Sequence, residues 1–332
     1  MQLNQCVIDE IAAVRMAPLT RTAPEVEWVE ANGEGKIPSS LYGLYQRASF
    51  FSFGASPPYL SDAENLLFSY FALVVRSVQE SLVEAHEQAD LFAAAHELVY
   101  DPAKLVRKEE FHKGAERRAG KHFRDIVIAL QTSLDALADV VAILFPRSIA
   151  ELKVGRAHFS KIEHWIKRPP PSLGLLASPN EFYLKKLYDS IGPVINAPHP
   201  ETDWLPMMRL LRNKAAHLGQ PLFRQVGLPR ASDGKFFVFL PRKWPYLWEK
   251  DIRLVDQHPA VPFPQLIRDV LMHQDVVCYA RGLIAKVKCL IAVAFVVIND
   301  AYEQFKDLPK NEAALTELKG NFRGYDFERF VT

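Results

Sequence analysis

Residues 126 to 145 read IVIALQTSLDALADVVAILF, and the rest of the fold follows from how that stretch is covered. Its apolar residues recur at helical rather than alternating spacing, and its two acids, Asp135 and Asp139, stand one helical turn apart. The stretch predicts the core end of a long helix. The residues before it, with Lys104, Arg107, Lys108, Lys113, Arg117, Arg118, Lys121 and Arg124, predict the solvated end of the same helix, over about 103–145. Glu109, Glu110, Glu116 and Asp125 are interspersed, so this half reads first as a solvated helix face and second as a track for RNA phosphates. Gly114 and Gly120 predict a kink or break, each costing about 1 kcal/mol relative to alanine.

A helix this apolar needs partners, and two further long patterns supply them. Ser61 opens a capping box with Glu64, and Leu67, Tyr70, Phe71, Val74, Val78, Leu82 and Ala85 repeat at threes and fours as far as about Leu98. Another long pattern runs from Pro264 to about Leu308, with Gly282 its expected break. Shorter helices are expected around Lys161 to Ile166, from Glu181 to Ile191 and from Thr202 to Leu218. A β-hairpin is expected at Leu222–Val226 and Lys235–Leu240 around the turn ASDG, within an insertion at about 221–256. Residues 1–60 read as a mostly irregular extension with one short helix near Ile8 to Val14, and 61–332 as the helical domain. The fold class is mainly α: a bundle of long antiparallel helices with a small β-hairpin insertion.

Composition bounds the function. The 332 residues are 49% hydrophobic, which excludes a wholly disordered chain, and 40 basic against 39 acidic residues give a net charge of +1 with no global field for nucleic acid. Three cysteines, Cys6, Cys278 and Cys289, form no metal or redox pattern and fit a reducing compartment. The first residues do not resemble a signal peptide. The most apolar run, Cys289 to Ile298, is about half of the roughly 20 residues that a bilayer span requires. A cytoplasmic protein without a membrane partner is expected.

One segment carries chemistry. In DWLPMMRLLRNKAAHLG, residues 203–219, Trp204, Met208, Leu211, Ala215 and Leu218 form a continuous apolar stripe at helical spacing. Asn213 and His217 form an i, i+4 pair on the opposite side, near Arg209 and Arg212. Lys214 and Arg224 add charge, and no acid lies between Trp204 and Pro229, so a local positive patch is hidden in a neutral total. Histidine titrates near neutrality and serves as base or acid, while arginine presents a fixed fork of donors to phosphate oxygens. Together they suit cleavage of RNA by its own 2′-hydroxyl without a metal.

Arg212-Asn213-Lys214-Ala215-Ala216-His217 resembles the R-X4-6-H motif of the HEPN superfamily, the higher eukaryotes and prokaryotes nucleotide-binding domains. The resemblance covers six residues by motif. It implies a helical bundle that dimerises and, in active members, one composite metal-independent ribonuclease site where two motif helices meet. It would make Arg212 the phosphate-stabilising residue, Asn213 the polar accessory and His217 the catalytic histidine, with Arg209, Lys214 and Arg224 as RNA or phosphate contacts. It also implies a defence or toxin role and a possible antitoxin or other regulatory protein. The polar or acidic residue that some members contribute from another helix has Asp135 or Ser133 as its candidates. The first sixty residues and the β insertion depart from a minimal bundle.

No metal and no cofactor is expected. His112 with His122, His158 with His164, and His258 with His273 lack ligand spacing, and the chain has no GxGxxG, GxxxxGK[ST] or GxSxG motif. Phe236, Phe237, Phe239, Trp244, Tyr246 and Trp248 read as packing for the hairpin before they read as a stacking platform for bases. The competing function is a non-catalytic helical module that binds RNA, a nucleotide or a protein through the same surface.

Overall fold

The computed structural model describes residues 28–30, 36–49, 62–100, 110–174, 178–196, 204–205, 208–209, 211–212, 276–304 and 311–321. Among them are seven α-helices, and the protein is mainly helical, as its periodicity predicts. In chain order they are β1 (Trp28–Glu30), β2 (Lys36–Pro38), α1 (Ser39–Ser49), α2 (Asp62–Tyr100), α3 (Glu110–Leu144), α4 (Phe159–Lys167), α5 (Pro179–Ile195), α6 (Val276–Gln304) and α7 (Glu312–Asn321).

The three long patterns are the three long helices. On α2, Leu67, Phe71, Val74, Val78, Leu82 and Ala85 are buried, so the stripe read from the sequence is the inward one. On α3 the apolar half is covered nearly all round, from Ile126 and Val127 to Leu144. The helix runs unbroken through Gly114 and Gly120, and α6 runs unbroken through Gly282. An added Cβ would meet nothing within 4 Å at any of these glycines, so the lost propensity is borne without a kink.

Two compact units divide the chain: Met1–Ile11 with Glu84–Ile128 and Pro198–Ile284, and Ala12–Val83 with Ala129–Ala197 and Ala285–Thr332. In the first, Phe92 packs on Phe123 with ring centroids 5.6 Å apart, and both are buried. In the second, Phe71 stacks on Tyr302 at 5.4 Å, and the Ser133 hydroxyl donates to the carbonyl of Val78 at 3.2 Å. The latter bond joins α2 to α3 and satisfies a fully buried hydroxyl.

Several elements differ from expectation. Residues 28–30 and 36–49 form a two-stranded antiparallel pair and an eleven-residue helix where the sequence predicts loop. The strands are three residues each, too short to show alternation, and Ile37, Leu41, Leu44 and Ala48 are buried. Helix α3 is described from Glu110, and its expected start near Ala103 lies outside the described residues. Helix α5 starts two residues before the expected Glu181, because Ser178 caps it, accepting from the Glu181 amide at 3.3 Å, and Pro179 fits its first turn. Helix α7 was not expected; Asn311 caps it, accepting from the Ala314 amide at 3.2 Å. The expected helix at Ile8–Val14, the cap residue Ser61, the hairpin and the insertion at 221–256 lie outside the described residues.

Three of the described helices are long and apolar enough to cross a membrane by length and composition: Glu64–Leu98, Arg117–Leu144 and Ala280–Glu303. The run at Cys289–Ile298, too short when taken alone, belongs to the last of these. Within the chain itself, 56%, 78% and 61% of their most apolar windows are already buried, as the core of a helical bundle also requires.

Candidate functional site

The start of the motif segment is helical at residues 204–205, 208–209 and 211–212. Trp204, Leu205, Met208 and Leu211 are buried, the last two completely. Arg209 and Arg212 are half-buried, at the border of that inward stripe. The helical register read from the sequence therefore holds as far as Arg212. Asn213, Lys214, His217 and Arg224 lie outside the described residues, as do Ala215 and Ala216.

The polar residues on the core half of α3 have found structural partners. Asp139 accepts from the Gly155 amide at 2.8 Å, from the Ala157 amide at 3.4 Å and from the Tyr70 hydroxyl at 3.0 Å. One turn earlier, Asp135 accepts from the Phe159 amide at 2.9 Å and from the Gln131 side chain at 3.1 Å. Phe159 is the first residue of α4, whose own N-cap residue, His158, makes no side-chain capping bond. Asp135 thus supplies from another helix the anionic acceptor that the amide end of α4 lacks. His158 lies beside it, with Nδ1 3.9 Å from the carboxylate.

Glu317 on α7 completes the clasp. It accepts from the Val154 amide at 3.1 Å and stands 3.6 Å from Arg147 Nε. The amides at 154, 155, 157 and 159 therefore end on three carboxylates from two helices. This suits a connection whose backbone cannot form a ladder: Arg147, Glu151 and Gly155 all have left-handed φ, at 61°, 64° and 75°. Gly155 adopts that conformation without the strain a side chain would bring.

Burial pushes the carboxyl of Asp139 above its usual value, against the opposing pull of the Gly155, Tyr70 and Ala157 donors. The Tyr70 hydroxyl is also pushed up, first by burial and then by the neighbouring Asp139 charge. Of the two residues offered as the accessory polar group, Asp135 is engaged by the α4 amide and Ser133 by the Val78 carbonyl. The sequence singled out both aspartates, and their task of holding backbone amides 16 to 24 residues away has no sequence signal.

The basic half of α3 presents a different chemistry. Arg117, Arg118 and Lys121 are exposed, and Arg124 bonds Asp125 at 3.2 Å. His122 Nδ1 lies 2.8 Å from Gln88 Oε1 on α2, and burial, with Lys121 next in effect, pushes its pKa down. Arg281 on α6 pairs with Asp90 at 3.6 Å. Among the described residues, no group of three or more His, Cys, Asp or Glu could hold a metal ion. Cys289 is a free thiol, and burial raises its pKa.

Comparison with family models, with curated proteins and with solved structures finds no match to the chain.

Proposed function

We propose that the protein is a metal-independent endoribonuclease of HEPN type that acts as a homodimer in the cytoplasm. The observation that carries this function is the burial of Trp204, Met208 and Leu211, with Arg212 at the edge of the buried stripe. That register is the one the motif needs, because a helix continued at the same spacing would put Asn213 and His217 opposite the apolar stripe. The mainly helical architecture agrees with it.

In this mechanism the RNA 2′-oxygen attacks the adjacent phosphorus, the bond to the 5′-oxygen breaks, and a 2′,3′-cyclic phosphate remains. His217 takes the 2′-hydroxyl proton or delivers one to the leaving oxygen, and its counterpart in the second subunit serves the other role. Arg212 holds the charge that develops on the equatorial oxygens, and Asn213 orients the imidazole or a phosphate oxygen. Arg209, Lys214 and Arg224 anchor the flanking phosphates. A small site of this kind needs no global positive charge. A toxin or defence role, checked by an antitoxin or another regulatory protein, follows from the resemblance alone.

The test is cleavage of an unstructured RNA by the purified protein in the presence of EDTA. The expected products carry a 2′,3′-cyclic phosphate, and His217→Ala lowers the rate by about a hundredfold or more. Equal degradation by this variant rejects the mechanism. No turnover, with RNA binding lost in Arg212→Ala, would assign the surface to a non-catalytic binding module instead.

A further inference from the structure

We propose that the exposed face of α3 bearing Arg117, Arg118 and Lys121 is a track for the phosphate backbone of single-stranded RNA. The choice of polymer rests on the ribonuclease function proposed above; the track itself rests on the geometry of α3. At about 100° per residue, Gly114, Arg117, Arg118, Lys121, Ile128 and Thr132 share one side of the helix, and all six are exposed. Asp125, on the same side, is half-buried and paired with Arg124. Ala119, Phe123, Ile126 and Val127 occupy the other side and are buried. Phe123 against Phe92, and His122 against Gln88, fix the rotation of the helix, so the cationic face cannot turn inward.

The three cations are exposed. Arg124 is engaged by Asp125, but among the described residues Arg117, Arg118 and Lys121 make no ion pair. His122, with its lowered pKa, stays neutral near pH 7 and adds no charge. The arginines offer forks matched to phosphate oxygens, and Arg117 and Lys121 are one turn apart, roughly 6 Å along the axis. The same compact unit, Glu84–Ile128 with Pro198–Ile284, contains Arg209 and Arg212 of the motif segment.

An anionic membrane is the less fitting partner. A helix that lies on a bilayer inserts its apolar face, and the apolar face of this half of α3 is already spent on Phe92 and the unit's core.

The experiment uses the full chain and a fluorescent 20-nucleotide 2′-O-methyl oligouridylate, which has no free 2′-hydroxyl and cannot be cleaved. Binding is followed by anisotropy from 50 to 200 mM salt. Each phosphate contact on a single strand contributes about −0.7 to the slope of log affinity against log salt, so three contacts contribute about −2. The wild type should therefore lose roughly 20-fold more affinity over that range than the triple variant Arg117→Gln, Arg118→Gln, Lys121→Gln. A double variant, Arg117→Lys with Arg118→Lys, should keep most of the binding and shows that charge, not folding, is being read.

An unchanged slope in the triple variant overturns the track, as does a wild type that does not bind the oligomer at 50 mM salt. Loss of binding to phosphatidylserine vesicles with RNA binding intact also overturns it. Binding lost in the triple variant, with no cleavage of unmodified RNA by the wild type, upholds the track and rejects the ribonuclease.

Discussion

Replacing Asp139 by alanine removes the acceptor of three donors at once, and the size of the effect can be worked from their surroundings. Gly155 is exposed, so its amide passes to water at little cost. Ala157 is buried and the Tyr70 hydroxyl is partly so; leaving each without an acceptor costs about 1–1.5 kcal/mol. Relief of the desolvated carboxylate returns about 1 kcal/mol. The net loss is about 1–2 kcal/mol, concentrated on the connection between α3 and α4, which corresponds to roughly 5- to 30-fold faster local opening. Hydrogen exchange by mass spectrometry reads this directly: a peptide spanning 152–160 should lose protection by about that factor, while one within α5 should not change. Tyr70→Phe should give a smaller loss, and the double variant should lose less than the sum, since the two share one bond. Unchanged exchange at 152–160 in Asp139→Ala would refute the clasp.

The same residue predicts a dependence on pH. Burial raises the folded carboxyl above its unfolded value of about 3.9, so between the two the folded chain binds more protons than the unfolded one. Stability from this group is fully present below the unfolded value and is lost as pH rises through the folded one. The stability gap between the wild type and Asp139→Asn should therefore be wider near pH 4 than at pH 7, as measured by urea unfolding of both; a gap that widens towards pH 7 would contradict the burial argument. Gly114→Ala and Gly120→Ala should each raise the free energy of unfolding by up to about 1 kcal/mol, read as a higher urea midpoint, since the helix is continuous and the added methyl meets nothing. Glu317→Ala should lower stability by about 1–2 kcal/mol, because the Val154 amide, in a buried residue, loses its acceptor; peptides covering Val154 should exchange faster.

The helices were legible because burial on one side of a helix leaves a mark every three or four residues. Leu67 to Ala85 on α2 and the start of the stripe at Trp204, Met208 and Leu211 carry that mark, and both are buried as read. Helix α7 and the β1–β2 pair carried too little of it. For α7, Asn311 as a cap residue was the signal that could have found it. The glycines of α3 and α6 misled in the opposite sense: propensity predicts breaks, but a long buried face outweighs about 1 kcal/mol at each position.

By itself, the sequence determined the fold class, the places of the long helices along the chain, and the inward stripe that leads into RNKAAH, because each depends on neighbours along the same helix. It also showed that a neutral chain contains a locally basic segment. Only the tertiary structure decided what Asp135, Asp139 and Glu317 do. Their partners are backbone amides of a loop, which have no residue type to recognise, and a hydrogen bond between segments exists only once packing has brought donor and acceptor within about 3 Å. Tertiary packing likewise set the rotation of α3, since Phe123 against Phe92 determines which of its residues meet water and leaves Arg117, Arg118 and Lys121 there.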